Sequence, residues 1–327
     1  MNPKGEVAKM LLMCKNDVVY DMNTKIVLNI ALLPGAMKRG TMDFMTWIQT
    51  RYSVGSNVSA RRLMLRAFGS DNHNSSLKQT RALSLSDCYW LKEDGEDIKF
   101  EDVTPYLNEE WDGTGEFTGG SISTLFVNGA ANKRWIDKDT LVKFNSAREL
   151  IPFQLAKSLN LSFVPEAWVK GEDFYIRNFT TMSSMLETME QSGFVSGDVQ
   201  PRELAVQNFG KNAVSLFVLD YLVEHDDRHW GNFGFLRDTD TGDYTGMAYF
   251  YDFDWAWSDA VVPLPQNAVL FYPDYIISLC EKAIVSSKEF DDKYASVIII
   301  RANELSRQVE RCIVESFEDN TLVKEGL

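Results

Sequence analysis

The pattern of apolar and polar positions is most regular between residues 212 and 258. Apolar side chains recur there at intervals of three and four, at Val214, Phe217, Val218, Tyr221 and Leu222. This spacing predicts an α-helix with one buried face. A polar turn at 225–232 follows the helix, and it contains two histidines and two aspartates.

Two short strands are predicted after the polar turn. The apolar run 233–236 predicts the first strand, 239–243 has the composition of a turn, and 247–253 predicts the second strand. Asp252 and Asp254 stand two residues apart, so regular pleating would send both side chains to one face. If the strand ends before Asp254, that side chain instead turns outward. In either case the hairpin carries Asp252 back beside the polar turn.

A small sheet is predicted upstream of this helix. A glycine-rich turn precedes Lys133, and the run 141–144 predicts a buried strand that contains Lys143. A lysine flanked by apolar residues needs an anion nearby, because an unpaired buried ammonium group would lose its charge. Two further strands are predicted at 164–169 and 173–179, joined by a turn that contains a glycine.

Helices are predicted around this sheet. Ser146 and Glu149 have the spacing of a capping box, which predicts a helix at 147–159. The stretch 180–211 has an interrupted helical pattern. The tail of the chain predicts further helices, such as 305–317, and therefore an α-rich C-terminal region.

Composition and charge limit the classes to which the protein can belong. Hydrophobic residues make up 45% of the chain and aromatic residues 12%, as in a folded globular protein, and 327 residues allow roughly two domains. The net charge of −14 argues against a nucleic-acid-binding surface. Residues 1–92 hold 13 Lys and Arg against 6 Asp and Glu, whereas the remainder holds 20 against 41. This asymmetry predicts a separate basic N-terminal segment.

We therefore predict three parts. They are a basic segment at 1–110, a sheet-rich lobe with the glycine-rich turn at 111–180 and a helical lobe at 181–327. A cluster of arginines at 61–66 either docks an acidic partner or a phosphate backbone, or pairs with the acidic remainder of the chain, and the last interpretation is favoured. Residues 1–110 contain no recognisable catalytic motif.

Neither the hydropathy nor the cysteines indicate a membrane or secreted protein. No segment is long and apolar enough for a transmembrane helix, and the first residues lack the apolar core of a signal peptide. The four cysteines lie far apart without metal-type spacing, at Cys14, Cys88, Cys280 and Cys312. They are predicted to be buried thiols of a protein in the reducing cytoplasm.

The polar turn and Asp252 contain the residue types that phosphoryl transfer requires. This reaction needs a carboxylate to accept a hydroxyl proton and oxygen ligands to hold Mg²⁺ on the phosphates. Asp227, Asn232 and Asp252 supply one base and two ligands. Two other interpretations are a solvated surface turn and a metal hydrolase that uses His225, Asp227, His229 and Asp252 as ligands. A nucleotide-binding region upstream favours a kinase over a hydrolase.

These residues also carry a resemblance to known kinases. The ordered motif is Asp227-Arg228-His229-x-x-Asn232 followed by Asp252-Phe253. It resembles the catalytic loop and metal motif of phosphatidylinositol 3-kinases. The longer string at 220–236 is more similar to HipA-like serine/threonine kinases and, within them, to CtkA-like kinases. The upstream sequence Gly129-Ala130-x-x-Lys133 resembles the phosphate loop of HipA-like kinases.

The resemblance implies a role for each matching residue. The implied catalytic residues are Asp227, as the base, with Arg228 and His229. The implied nucleotide-binding residues are Gly129, Ala130, Lys133, Lys143, Glu149, Ile176 and Asn178. The implied metal ligands are Asn232 and Asp252, and Asp254 is a further candidate because of its spacing from Asp252.

Two positions depart from the family pattern. Phe126 stands where HipA-like kinases usually have a serine, so autophosphorylation at that point is not expected. Asp254 replaces the glycine that usually follows the Asp-Phe pair, which argues against a glycine-hinged switch there.

The prediction is an α+β protein with a bilobal, protein-kinase-like fold of HipA type, with a small, mainly antiparallel sheet lobe and an α-helical lobe. Its predicted activity is ATP- and Mg²⁺-dependent transfer of the γ-phosphate to a serine or threonine hydroxyl of a protein. The alternatives are a kinase-fold regulatory or toxin-type binding module, and a lipid or small-molecule kinase. The expected partners are a protein substrate and a partner of the basic N-terminal segment, without a membrane and without direct binding to nucleic acid.

Overall fold

The computed structural model describes residues 9–51, 77, 80–108, 132–194 and 200–325, with side chains for all of these except 201 and 316–325. Contacts between residues divide the chain into two compact units. The first consists of Met1–Ala147, Glu166–Ser196 and Phe233–Ala248, and the second of Arg148–Pro165, Gly197–Asn232 and Tyr249–Leu327. Each unit is therefore assembled from segments that are distant in sequence.

The first unit contains three antiparallel sheets within the described residues. Their strands are β1 (Met10–Cys14), β2 (Asp17–Asp21), β3 (Ile26–Val27), β4 (Tyr89–Glu93), β5 (Lys133–Asp137), β6 (Thr140–Lys143), β7 (Ala167–Lys170), β8 (Asp173–Arg177), β9 (Ser184–Thr188), β10 (Gly234–Asp238) and β11 (Tyr244–Met247). The strand orders are β3-β2-β1-β4, β5-β6-β8-β7 and β11-β10-β9. The short helices of this unit are α1 (Gly35–Lys38), α2 (Phe44–Thr50), α3 (Phe100–Val103), α4 (Pro105–Asn108) and α6 (Met189–Ser192).

The second unit is helical. Its helices are α5 (Leu150–Ser158), α7 (Pro201–Phe209), α8 (Lys211–Leu222), α9 (Gln266–Phe271), α10 (Pro273–Ser286) and α11 (Asp292–Glu325). A 3₁₀ turn at Ala147–Glu149 precedes α5, and another at Ser287–Glu289 follows α10. Small antiparallel sheets in one unit and helices in the other make the protein a member of the α+β class, as predicted. The predicted division at residues 110 and 180 stays a prediction.

The helix α8 is confirmed, but the expectation of one buried face is wrong. Every residue from Ala213 to Leu222 is buried, including the polar Ser215 and the charged Asp220. Four helices pack around α8, namely α5, α7, α10 and α11. Because neighbours surround it, α8 forms the core of the second unit rather than a surface helix.

The stretch predicted as interrupted helix at 180–211 contains the helices α6 and α7, but it also contains the strand β9, which was not predicted. β9 pairs with β10 in antiparallel register, with Thr188 opposite Gly234 and Ser184 opposite Asp238. A Cβ on Gly234 would clash with the carbonyl oxygen of Glu187, so this close approach requires glycine. Pairing with a strand that is distant in sequence, rather than local propensity, therefore decides the conformation of Ser184–Thr188.

The start of the helix at 147–159 also differs from the prediction. The Ser146 hydroxyl donates to the carbonyl oxygen of Phe144 at 3.2 Å, and the N-cap position of α5 is Glu149, whose side chain makes no capping bond. The capping box is therefore wrong. The first turn is 3₁₀, and Ser146 completes the preceding turn instead.

The N-terminal segment packs into the first unit through a buried polar cluster. The guanidinium of Arg237 on β10 donates to the Tyr89 hydroxyl at 2.8 Å and lies 3.4 Å from the Glu187 carboxylate. Glu187 in turn accepts from the backbone N–H of Gly35 at 2.7 Å and from the Tyr244 hydroxyl at 2.6 Å. Residues from the first hundred positions are therefore part of the same polar cluster as the β9–β11 sheet.

Several basic residues of the N-terminal segment pair within the first unit. Arg51 forms a buried two-pronged contact with Asp87, with both N···O distances 2.7 Å. Arg81 binds Glu96 at 2.7 Å. Intramolecular pairing thus accounts for these charges. The predicted arginine cluster at 61–66 lies outside the described residues.

The predictions from hydropathy and from the cysteines can be compared with the described residues. In the part of the chain that the structure describes, no helix combines the length and apolarity needed to cross a membrane. Cys14, Cys88 and Cys280 are buried free thiols, and burial raises the pKa of the Cys14 thiol to about 12. Cys312 is exposed on α11. The expectation of four buried thiols is therefore wrong at this position.

Candidate active site

The polar turn begins where α8 ends. Glu224 has a positive φ of 52°, which turns the chain out of the helix. The backbone N–H of Trp257 donates to the carbonyl oxygen of Val223 at 2.7 Å, and that of Ser258 donates to Glu224 at 3.2 Å. The first residues of the turn are thus fixed by α8 and by the segment that follows Asp252.

Arg228 is the centre of the hydrogen-bond network of the turn. Its Nε and Nη2 atoms donate to the carboxylate of Asp220 at 3.1 and 2.8 Å. Its Nη1 atom donates to the backbone oxygens of Asn232 at 2.8 Å and Tyr251 at 2.7 Å. Burial lowers the pKa of Arg228, but the charge and hydrogen bonds of Asp220, together with the charge of Asp252, outweigh burial, and the pKa is raised. Arg228 therefore positions the turn, because it is buried among these partners.

Asp252 reaches the turn through contacts that no strand pairing predicts. The Tyr251 hydroxyl donates to the carbonyl oxygen of Gly231 at 2.9 Å, and Asp252 follows with a φ of 61°. β11 ends at Met247, so the strand predicted at 247–253 is wrong beyond its first residue. Pleating therefore cannot place Asp252 and Asp254 on one face. The left-handed conformation of Asp252 is strained for most residues and is more acceptable to aspartate.

Asn232 is oriented by the turn itself. Its side-chain nitrogen donates to the backbone oxygen of Asp227 at 2.9 Å, and its backbone N–H donates to the oxygen of His229 at 2.9 Å. Fixing the amide nitrogen in this way leaves the amide oxygen as the atom that can bind a cation. The side chain that phosphoryl transfer would use as a ligand is therefore pre-oriented.

Asp227 is partly exposed and lies in a negative environment. Its side chain is 42% exposed. Burial raises the pKa of Asp227 above its usual value, His229 lowers it, and the charges of Asp254 and Asp252 raise it further. The net direction is upward. A carboxylate whose pKa is raised in a partly open position has the properties of a general base.

His229 lies beside this carboxylate. Its Nδ1 atom accepts a hydrogen bond from the N–H of Gly231 at 3.0 Å, so the neutral ring carries its proton on Nε2. The Nε2 atom is 4.0 Å from Oδ2 of Asp227, and the side chain is 52% exposed. Of the three predicted catalytic residues, Asp227 and His229 are thus accessible to solvent. Arg228 is buried and binds the backbone of the turn that carries them.

One carboxylate oxygen of Asp254 is buried without a hydrogen-bond partner among the described residues. Its backbone oxygen accepts from Nη2 of Arg148 at 3.1 Å, whereas its Oδ1 atom is buried and has no hydrogen-bond partner among the described residues. An outward-turned Asp254 would be solvated instead. Because burying a carboxylate oxygen without a partner is unfavourable, this oxygen is suited to a cation.

The residues around the turn fit Mg²⁺ by their chemistry. Asp252, Asp254 and the amide oxygen of Asn232 are hard oxygen ligands, which this ion prefers. The charges of Asp254 and Asp252 both raise the pKa of Asp227, and a divalent cation would relieve this repulsion. Within the described ranges, however, no three His, Cys, Asp or Glu side chains are already arranged as a metal cage.

His225 does not join this cluster. It is fully buried, its ring packs edge-on against Phe253 at 5.5 Å, and its Nδ1 atom lies 3.8 Å from Asp220. A hydrolase site built from His225, Asp227, His229 and Asp252 is therefore not what the described residues form. His225 instead packs in the core of the second unit.

The first unit contains a pair of buried lysines. Lys133 on β5 stands directly opposite Lys143 on β6, and the two side chains are 6% and 3% exposed. Directly opposed residues of neighbouring strands project to the same face. The structure thus places both lysines on one sheet face, and their predicted roles in binding the nucleotide phosphates stay predictions.

Of the other predicted nucleotide-binding residues, the structure describes Glu149, Ile176 and Asn178. Glu149 is fully buried and accepts a hydrogen bond from the N–H of Phe253 at 3.3 Å. Ile176 is buried on β8. The side chain of Asn178 donates to the oxygen of Lys138 at 3.0 Å and accepts from Thr180. Gly129 and Ala130 lie outside the described residues, and their predicted role stays a prediction.

The sequence interpretation missed two residues of the site. Asp220 was not assigned a role, although an aspartate inside an apolar helix must have a partner, which is Arg228. Tyr251 was also missed, and its position beside Asp252 gives no local signal for its bond to Gly231. The first residue was therefore predictable from burial, whereas the second required the tertiary structure.

Comparisons with known proteins give only distant structural likenesses. No family model and no curated protein matches the sequence. The Helicobacter pylori proinflammatory kinase CtkA is 16% identical, with a TM-score of 0.38 over 59% of this chain and 96% of that chain. HipA in the toxin–antitoxin complex with HipB and operator DNA from Shewanella oneidensis MR-1 is 12% identical, with a TM-score of 0.46 over 92% and 97% of the two chains.

Proposed function

We propose that the protein transfers the γ-phosphate of ATP to a serine or threonine hydroxyl of another protein. The observation that carries this proposal is the arrangement around Arg228. One buried guanidinium binds the backbone on both sides of the site, at Asn232 and Tyr251, and so holds a base and two oxygen ligands together. These are the groups that phosphoryl transfer requires.

Asp227 is the general base in this reaction. It accepts the hydroxyl proton as the oxygen of the acceptor forms a bond to the γ-phosphorus, and the bond from that phosphorus to the bridging oxygen of ADP breaks. The Nε2 proton of His229 faces the carboxylate and favours its ionised form. Such bases typically contribute about 10²–10⁴-fold to the rate.

Asn232 and Asp252 are the proposed ligands of Mg²⁺, with Asp254 as a further ligand. When bound, this ion neutralises charge on the transferred phosphate. The proposal is supported by the carboxylate repulsion at Asp227 and by the buried, unpartnered oxygen of Asp254. Lys133 and Lys143 are the proposed binding residues for the nucleotide phosphates.

Labelling with γ-³²P-ATP tests the proposed function. The purified protein is incubated with labelled ATP, Mg²⁺ and a cell lysate, and labelled proteins are identified by mass spectrometry. Wild type should label one or a few proteins on Ser or Thr, and Asp252→Ala should abolish labelling at every Mg²⁺ concentration. ATP binding without transfer to any hydroxyl would contradict the proposal and favour a binding module.

The proposed partner is therefore the substrate protein. A further partner of the basic N-terminal segment is compatible with its positive charge, although several of its described basic residues already have intramolecular partners. Pull-down with wild type and with a variant in which Arg61, Arg62 and Arg66 are replaced by Gln tests this second partner. An identical set of captured proteins would exclude a role of the arginine cluster in binding.

A further inference from the structure

A cavity of about 420 Å³ lies beside the polar turn within the second unit. It is lined by Trp230 of the polar turn, by the start of α7 and by the segment 262–266 that leads into α9. Trp230 is three residues from Asp227, the proposed base. Three residues span at most about 10–11 Å, so the cavity is only a few residue lengths from the position proposed for the acceptor hydroxyl.

Two arginines line the cavity, but neither is suited to bind a ligand there. Arg228 is buried, and its three side-chain nitrogens donate within the network of the polar turn. Nη1 of Arg202 donates to the carbonyl oxygen of Pro263 at 3.0 Å, and its Nε and Nη2 atoms are buried. The charge of Asp220 acts on both arginines. The cavity is therefore not a site for an anion.

Much of the remaining wall is apolar. Its apolar residues are Trp230, Val262, Pro263, Leu264 and Pro265. Because proline has no backbone N–H, the segment offers the cavity no donor at positions 263 and 265. Pro265 is buried, whereas Gln200 and Gln266 are exposed, so the wall becomes polar toward the solvent. Glu203 also lines the cavity and disfavours an acidic ligand. This wall suits an apolar group with a polar backbone at the opening.

Hydrogen bonds hold the wall in place. The bond from Arg202 to Pro263 fixes the segment against α7. The side-chain nitrogen of Asn267 donates to the backbone oxygen of Glu203 at 2.8 Å, and the N–H of Ala268 donates to the oxygen of Pro265 at 3.0 Å. The cavity is therefore formed before a ligand arrives, which lowers the entropic cost of binding.

We propose that this cavity binds an apolar side chain of the protein substrate, such as Leu, Met or Phe, within about four residues of the phosphorylated hydroxyl. The inference rests on the proposed function for the identity of the ligand as a substrate. The volume is at the lower end of the roughly 300–1,000 Å³ typical of ligand pockets, which is enough for one large side chain and its backbone. Val262 and Leu264 are specificity-determining residues in this view.

Peptide binding tests the proposal without relying on catalysis. Fluorescein-labelled peptide pools contain a central serine, either Leu or Asn fixed at one of the four positions on each side, and random residues elsewhere. Leu and Asn have similar shapes and differ in polarity. Fluorescence anisotropy in the absence of ATP measures the dissociation constants for the whole chain. For wild type we expect one position at which the Leu pool binds about tenfold more tightly, the effect of burying most of such a side chain.

Two variants assign the preference to the cavity. Val262→Asp places a carboxylate in the wall, and it should abolish the preference for Leu and create a preference for Lys at the same peptide position. The matched control is Val285→Asp, at an exposed position of α10, which should retain the preference for Leu. Leu264→Asn should reduce the preference, and it decides the matter if Val262→Asp fails to fold in a thermal-unfolding control.

Four outcomes would overturn the proposal. They are equal binding of the Leu and Asn pools at every position, a preference for Leu that survives in both cavity variants, a Lys pool that binds wild type more tightly than the Leu pool, and a wild-type dimer that Val262→Asp dissociates. The last outcome would assign the cavity to a second copy of the chain, and size-exclusion chromatography with light scattering measures it.

Transfer from ATP to the same pools is measured in parallel and separates this inference from the proposed function. Transfer without a preference for Leu overturns only this inference. A preference for Leu that depends on Val262, without transfer to any serine, overturns the proposed function and with it the assignment of the ligand as a substrate.

Discussion

Asp220 and Asp227 are carboxylates at the two ends of one short segment, yet their environments are opposite. Asp220 is 1% exposed and accepts hydrogen bonds from Nε and Nη2 of Arg228, at 3.1 and 2.8 Å. Asp227 is 42% exposed, and its nearest basic group, Nε2 of His229, is 4.0 Å away. Asp252 and Asp254 add negative charge around it.

This difference separates a carboxylate with a structural partner from one that is proposed to act in phosphoryl transfer. A buried carboxylate with its own arginine contributes to the stability of the turn, and its partner is part of the same chain. A partly open carboxylate among like charges is unfavourable in the free protein, and it gains stability only when a proton or a cation arrives. Poor electrostatic compensation is therefore the better indicator of the site. Five variants test this difference.

The largest effect is expected for Asp227→Asn. Loss of the base should reduce phosphoryl transfer by about 10²–10⁴-fold. The free energy of unfolding should stay the same or rise, because the substitution removes a charge that its neighbours disfavour. Transfer rates and urea unfolding measure the two effects. Asp226→Asn, at the exposed neighbouring position, is the control, and full activity of Asp227→Asn would remove this residue from the mechanism.

Asp220→Asn should have the opposite profile. The substitution leaves the buried guanidinium of Arg228 without its counter-charge, and we expect the free energy of unfolding to fall by about 3–5 kcal/mol. Urea denaturation monitored by tryptophan fluorescence measures this change, with Asp226→Asn again as the control. A loss below about 1 kcal/mol would show that the pair is not what stabilises the turn.

Lys143→Met extends the comparison to the first unit. Lys143 is buried opposite Lys133, whereas Lys170 on β7 is exposed. If the lysine pair binds the phosphates of ATP, Lys143→Met should raise the dissociation constant for ATP at least about tenfold, the effect of losing a charge-assisted hydrogen bond. Lys170→Met should leave it unchanged. Isothermal titration calorimetry provides the measurement, and equal constants for the two variants would return Lys143 to a purely structural role.

The smallest effect concerns the pH dependence of Asp227. The base acts when ionised, so transfer should decrease as the pH falls through the pKa of Asp227, which lies above the usual value for aspartate. Asp254→Asn removes a negative neighbour and should lower this pKa, which moves the acid limb of kcat/KM to lower pH. His229→Gln removes the group that favours the ionised form, and it should move the limb to higher pH. Shifts in the same direction for both variants would contradict the assignment.

Several elements were predictable from the sequence because their signals are local. The period of three and four from Val214 to Leu222 predicted α8, and the apolar run at 141–144 predicted the buried strand β6. The turn at 239–243 is evident from its residue types. Asp227, Asn232 and Asp252 were named as site residues because their chemistry is specific and their spacing is short.

Other features depend on partners that are distant along the chain. β9 forms because β10 is available to pair with it, and α8 is buried on all sides because four other helices surround it. The strand predicted at 247–253 ends early because Arg228 and the Tyr251 hydroxyl draw the chain toward the polar turn. No local pattern contains that information.

Residue identity alone shows which side chains are available for chemistry, because it fixes charge, hydrogen-bonding capacity and preferred ligands. How these charges are compensated depends on the packing of the folded chain. It gave Asp220 an arginine, surrounded Asp227 with like charges, and left two buried donors of Arg202 without a partner among the described residues. The physical reason is that electrostatic energy depends on distance and burial, and both are set by the packing of segments that lie far apart in the chain.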